Sequence, residues 1–147
     1  MFANLRDAVG KDPAKIIEAM MTPKHSAYLN GLAKDRVDAL AYFLSSGQID
    51  ASKLIQAGKS TGNPKAGKDI FEGVCVSCHQ ADGKAYIEGE SGDEPSLGWV
   101  ANNRPAQAVH KIANGVPNAD MLSLRFLPEN RLADLLAYMQ SLDTSDP

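Results

Sequence analysis

The feature that most constrains this chain is a five-residue run, Cys75-Val76-Ser77-Cys78-His79, which holds both of its cysteines. A disulfide framework needs more cysteines at wider spacing, so the pair marks a local site. A zinc site needs four ligands, and the remaining histidines are not paired at finger-like spacing. A thioredoxin-type dithiol needs a βαβ context, and the chain shows no run of alternating apolar and polar residues that would supply strands.

The pattern around the motif is helical almost throughout. Asp12-Pro13 reads as an N-cap and first helical residue, followed by Ile16, Ile17 and Met20, with Pro23 as the stop. A second helix is expected over 34–46, with Val37, Leu40, Ala41 and Leu44 on one face and Gly47 ending it. Asn63-Pro64 opens a third, with Ala66, Ile70, Phe71 and Val74 apolar, and it runs into the cysteines. Pro105 opens a fourth, carrying Ala108, Val109, Ile112 and Ala113 and stopped by Gly115. A last helix begins near Pro128-Glu129 with the stripe Leu132, Leu135, Leu136 and Met139. Residues 80–103 read as a long polar segment, and wrapping a cofactor is one reason for such length. The fold class is therefore all-α. The expected organisation is a helical extension or half-domain over 1–57, a turn-rich linker over 58–63 and one domain over 64–147. Gly58-Lys59-Ser60 lacks the upstream glycine of a phosphate loop.

The two parts echo one another. Asp38-Ala39-Leu40-Ala41-Tyr42 precedes Asp134-Leu135-Leu136-Ala137-Tyr138 by 96 residues, and each follows a helix opened by Pro-Ala, at Pro13 and Pro105. At the same offset His25 falls on Met121. Residues 1–50 thus read as the distal half of a domain whose complete version follows. Their apolar faces need a covering surface, with residues 64–147 the first expectation, ahead of a second copy or a missing upstream half of the same domain.

Charge is uneven. Of 15 Lys/Arg and 18 Asp/Glu, residues 1–63 hold 8 and 6 (+2) and residues 64–147 hold 7 and 12 (−5). Neither balance suits nucleic acid. The acids Asp82, Glu88, Glu90, Asp93 and Glu94 form either a solvated loop or a docking face for a basic partner. No apolar run approaches the ~20 residues of a membrane span. The first residues lack the basic head and apolar core of a secretion signal.

Cys-x-x-Cys-His is the attachment pattern of a c-type haem. One helical turn brings two thiols to the vinyl-derived positions on one porphyrin edge, and the adjacent His reaches the iron. Residues 64–147 resemble a small bacterial class I cytochrome c domain. The resemblance rests on Gly67 and Phe71 in the helix before the motif, the motif itself, Pro95-x-Leu97 in the loop and the terminal Leu-Ala-Tyr helix. It implies that the first and last helices cross where Gly67, Phe71 and Tyr138 meet. It also implies that the Pro95 carbonyl accepts the His79 N–H, fixing the imidazole tautomer. The family places its sixth ligand, a Met, where Met121 lies; here Leu122 follows it instead of the usual Pro. His110 and His25 are the competitors, and Met139 reads as core filling. Trp99 is expected at the haem edge or on a propionate, or as ordinary loop packing, and Arg104 is a propionate candidate by charge.

The expected function is electron transfer by one covalent haem c ligated by His79 and Met121, without catalysis, because no coordination position stays open. The alternative is a haem enzyme or gas-binding sensor with a displaceable sixth ligand. A redox donor and a redox acceptor are the expected partners, and residues 1–50 could hold a homodimer or a larger oxidoreductase complex. The resemblance further implies a periplasmic or otherwise exported protein whose signal has been removed.

Overall fold

The computed structural model describes residues 5–85, 95–116 and 119–145; the side chains of Leu5, Arg6, Lys24, His25 and Tyr28 are excepted. His25 as a ligand candidate, and the acids Glu88, Glu90, Asp93 and Glu94, therefore lie outside the described residues. The chain divides into two compact units, Met1–Asp50 and Ala51–Pro147. Apart from one two-stranded hairpin, the regular elements of the described residues are helical, in keeping with the all-α expectation. Among the described residues no helix is long and apolar enough to cross a membrane.

The first unit contains α1 (Pro13–Met20), α2 (Pro23–Leu29) and α3 (Lys34–Tyr42), and α3 runs into a π-helical turn at Phe43–Gly47. Asp12 caps α1 by accepting the Ala14 N–H at 2.9 Å, which satisfies one of the donors that every helix start leaves orphaned. Ala8, Ile16, Ala41 and Leu44 are buried together, with Ile17 and Met20 partly buried around them. The unit thus has a small core of its own, and Ile16 and Leu44 do not wait for an outside surface. Leu40 departs from the expected inward face and is exposed, because α3 turns Ala41 inward and the neighbouring position points about 100° away. Pro23 stops one helix as expected, but it also occupies the first turn of α2, where its missing N–H costs nothing.

The second unit begins upstream of the expected linker. Strands β1 (Ile55–Gln56) and β2 (Lys59–Ser60) pair antiparallel, Ile55 with Ser60 and Gln56 with Lys59. They precede α4 (Pro64–Ile70), a π-helical turn at Phe71–Cys75, α5 (Val76–His79), α6 (Leu97–Asn103), α7 (Pro105–Asn114) and α8 (Glu129–Met139). Residues 58–63, which read as a linker for their Gly, Ser and Thr content, are fastened to α8. Ser60 Oγ donates to the Ala133 carbonyl at 2.6 Å. The Asn63 N–H donates to Asp134 Oδ1 at 2.7 Å. Gln140, just past α8, accepts the Ser60 N–H and donates to the carbonyls of Gly58 and Ala101, each at 2.9 Å. Turn residues were here the means of close approach.

The core of this unit lies where α4 meets α8. A Cβ on Gly67 would collide with the backbone of Asp134 and Leu135, and one on Gly62 with the backbone of Ala133. The absence of side chains at both positions lets the backbones touch. Phe71 is fully buried, and its ring centroid is 5.2 Å from that of Tyr138 in a tilted arrangement. Gly67, Phe71 and Tyr138 meet as the resemblance implied. Leu132, Leu135, Leu136 and Met139 of α8 and Ala108, Val109, Ile112 and Ala113 of α7 are buried as their periodicity required. Val74 is not; it is 41% exposed, lying in the π-helical turn, where the 3.6-residue period is interrupted. The stretch that reads as a polar segment after His79 contains α6, capped by Ser96, whose Oγ accepts the Trp99 N–H. A backbone bond from the Leu97 N–H to the Gly83 carbonyl (3.0 Å) closes the loop between them.

The internal echo extends to the helices. Shifted by 96, α3 covers 130–138 (34 + 96 to 42 + 96), within α8. It does not extend to the packing: Tyr42 is 67% exposed, whereas its counterpart Tyr138 stacks on Phe71.

Candidate haem site

Three consecutive segments, α4, the π-helical turn and α5, deliver Cys75, Cys78 and His79 to one place. Positions 75, 78 and 79 are related by i, i+3 and i+4, so they share a helix face. All three line a cavity of about 210 Å³. Its walls come from Phe71 behind the motif, Pro95, Leu97 and Val100 of the α6 region, Ala108, Lys111 and Ile112 of α7, and Met139 of α8. Val116, Ala119, Asp120 and Met121 complete it from the segment between α7 and α8.

Protein interiors tolerate few voids larger than a water molecule. The cavity is partly open, so water meets apolar walls that a bound group would cover. A partly open cavity with largely apolar walls suits a large apolar group. The donor chemistry fits haem: two thiols and an imidazole stand on one helix face, and a thioether sulfur, a soft ligand, lines the same cavity.

His79 is half-buried, and burial holds its imidazole below its ordinary pKa, opposed by a hydrogen bond to the Ala85 carbonyl. At neutral pH the ring is therefore neutral, the form that binds metal. Nδ1 lies 3.3 Å from the Ala85 oxygen, which directs Nε2 away from the backbone. The resemblance implied Pro95 as this acceptor; in the structure Pro95 is a cavity wall and Ala85, six residues after the His, takes the bond. Burial pushes the Cys75 thiol up to about 11, with Cys78 adding to the rise. Cys78 is exposed.

The other candidates separate. Met121 lines the cavity; His110 does not, being exposed on α7 with Nδ1 3.3 Å from Asn114 Nδ2. Met139 is both core filling and cavity wall. Trp99 is absent from the wall, and the Arg104 guanidinium lies 5.2 Å from the centre of its ring. Both are thereby occupied with each other. Lys111 and Asp120 escaped the sequence reading. The spacing of Ala108, Lys111 and Ile112 was the signal for Lys111, since two apolar neighbours at −3 and +1 place it on the inward face.

The family model described as Cytochrome C oxidase, cbb3-type, subunit III matches residues 62–139. The chain belongs to that family. The matched span opens on Gly62, which touches Ala133, and ends on Met139, the last residue of α8. It thus takes in the whole α4–α8 crossing and the Cys-x-x-Cys-His run. A class I c-type cytochrome domain is what it describes, and haem-based electron transfer is the activity that goes with it. Comparison with curated proteins and with solved structures returns no match.

Proposed function

We propose that this cytochrome domain carries one haem c, bound by thioether bonds to Cys75 and Cys78 and ligated by His79 and Met121. The observation that carries the reading is the convergence of those four side chains on one apolar cavity. The bound iron supplies a reversible one-electron couple. The protein's own contribution is to hold the neutral His79 ring by its bond to Ala85, to offer Met121 from the segment between α7 and α8, and to exclude water with Phe71, Leu97, Val100 and Ile112. A thioether ligand favours the reduced state and raises the potential. With His79 and Met121 both given to the iron, the site would exchange electrons and bind no substrate, which is the behaviour of a carrier or of the electron-transfer domain of a larger redox system. We place it on the exported side of the membrane, where c-type attachment takes place by family resemblance. The same proposal gives residues 1–50 a haem-free role in contact with a second copy or with an oxidoreductase complex.

The test is the mass and spectrum of the matured chain. Denaturing mass spectrometry should give the polypeptide plus one haem, and the ferric protein should show a Met–iron charge-transfer band that Met121→Ala abolishes and His110→Ala leaves intact. A high-spin ferric spectrum in the unaltered protein would move the chain to the haem enzymes or gas-binding sensors. Co-purification and solution size, with and without residues 1–50, decide their role.

A further inference from the structure

Lys111 is the cavity residue that the haem reading leaves without a task. α7 presents Ala108, Lys111 and Ile112 to the cavity. Ala108 and Ile112 are buried apolar wall, whereas Lys111 is half-buried and lines the same surface with a side chain that ends in an ammonium. The other titratable groups lining the cavity are Cys75, Cys78, His79 and Asp120. Among the described residues Lys111 forms no ion pair with a carboxylate, unlike Lys34, Lys68, Lys84 and Arg131. Its neighbour His110 is exposed and turned to Asn114. The nearby arginines are engaged elsewhere, Arg104 over Trp99 and Arg125 on Asn114 Oδ1 at 2.9 Å.

A cation against an apolar wall loses hydration, and a counter-charge offsets that loss. Haem carries two propionate carboxylates. We propose that Lys111 is the counter-charge of a haem propionate and that the pair helps to set the reduction potential. The proposal rests on the haem reading above. Arg104, the candidate by charge in the sequence, lies over Trp99 and does not line the cavity, while Lys111 stands in the wall itself. An adjacent ammonium favours the ionised carboxyl and lowers its pKa. It also favours the reduced iron, which bears one positive charge fewer.

The experiment measures midpoint potential against pH for the matured full-length chain, unaltered and as Lys111→Met, Lys111→Arg and His110→Ala, with the haem content of each read by mass. Met keeps the unbranched apolar stem, and Lys111→Gln replaces it should that variant fail to mature. In Lys111→Met the pH at which the potential falls should move upward, and above that transition the potential should lie below that of the unaltered protein. Lys111→Arg should restore both features and His110→Ala should change neither. An unmoved pH profile in Lys111→Met overturns the proposal, whether or not the potential has dropped, because a cation beside the propionate must shift that carboxyl's ionisation. If the unaltered chain carries no haem, the haem reading falls and this proposal with it; haem present with a flat response to Lys111 overturns this proposal only.

Discussion

Replacing Gly67 by Ala tests the crossing on which the domain depends. The new methyl would land against the carbonyl of Asp134 and the nitrogen of Leu135. These are backbone atoms of α8, so no side-chain rotation relieves the clash and the two helices must separate. Separation would loosen Phe71 from Tyr138 and disturb the bond between Asn63 and Asp134. Overpacking of this kind costs about 1–3 kcal/mol or more. Ala in place of Gly within a helix returns about 0.5–1 kcal/mol. With backbone as the immovable party, the net loss should be near 2 kcal/mol, or roughly 8–16 °C in melting temperature for a domain of this size. Gly73→Ala is the internal control. It lies in the adjoining π-helical turn, and a Cβ there meets nothing within 4 Å, so the same exchange should leave stability unchanged or raise it by up to ~1 kcal/mol. Thermal unfolding followed by fluorescence of Trp99, the chain's one tryptophan, reports on residues 51–147 without contribution from the first unit. A Gly67→Ala melting temperature within 2 °C of the unaltered protein, on the order of a few tenths of a kcal/mol, would refute the close-approach argument.

Three further outcomes are expected. Replacing both Cys75 and Cys78 by Ala should destabilise residues 51–147 in the absence of haem, because the apolar cavity walls then stay exposed to water; a melting temperature equal to that of the matured protein would contradict this. Gln140→Ala removes three hydrogen bonds and should destabilise the matured domain by about 1.5–3 kcal/mol, read as a lowered guanidinium midpoint at unchanged slope; an unchanged midpoint would show that the hairpin is held by other means. The hydrogen bond from Lys84, with help from Ser145, holds the Asp143 carboxyl below its ordinary pKa. That contribution is present above the ordinary carboxylate value and lost as pH falls through the lowered one, so Lys84→Met should raise the Asp143 titration midpoint seen by carboxyl NMR. Identical titrations in the two proteins would remove Lys84 as the cause.

The parts of the fold that could be read from the sequence are those governed by local rules. Asp12-Pro13, Asn63-Pro64 and Gly115 announce helix ends through capping chemistry, and all three behave accordingly. The stripes on α7 and α8 follow from their periodicity. The four side chains that converge on the cavity were also accessible, because the motif fixes three of them and family order points to the fourth. What was missed depends on distant partners. The hairpin at 55–60 has strands too short for alternation to be visible, and it is stabilised by Gln140 and Ala133, more than 70 residues away. α6 hid in a polar segment because its inward positions include Gly98 and Ala101, which carry little hydropathic signal. The choice of Ala85 over Pro95 depends on how the backbone turns after His79, where Gln80 adopts a φ of +58°. Non-glycine residues seldom enter that region, and no pattern in the sequence marks it.

The bond between the Leu97 N–H and the Gly83 carbonyl bears on how such a domain can diversify. Both ends of the intervening segment are pinned, at Gly83 beside the motif and at Leu97 on the first turn of α6. The entropic cost of lengthening a loop between fixed ends grows only logarithmically, about 0.6 kcal/mol per doubling. With those two ends joined, the sequence between Gly83 and Leu97 can change in length or charge while His79 keeps its place. Partner choice and redox chemistry are in this way free to evolve on separate stretches of one chain.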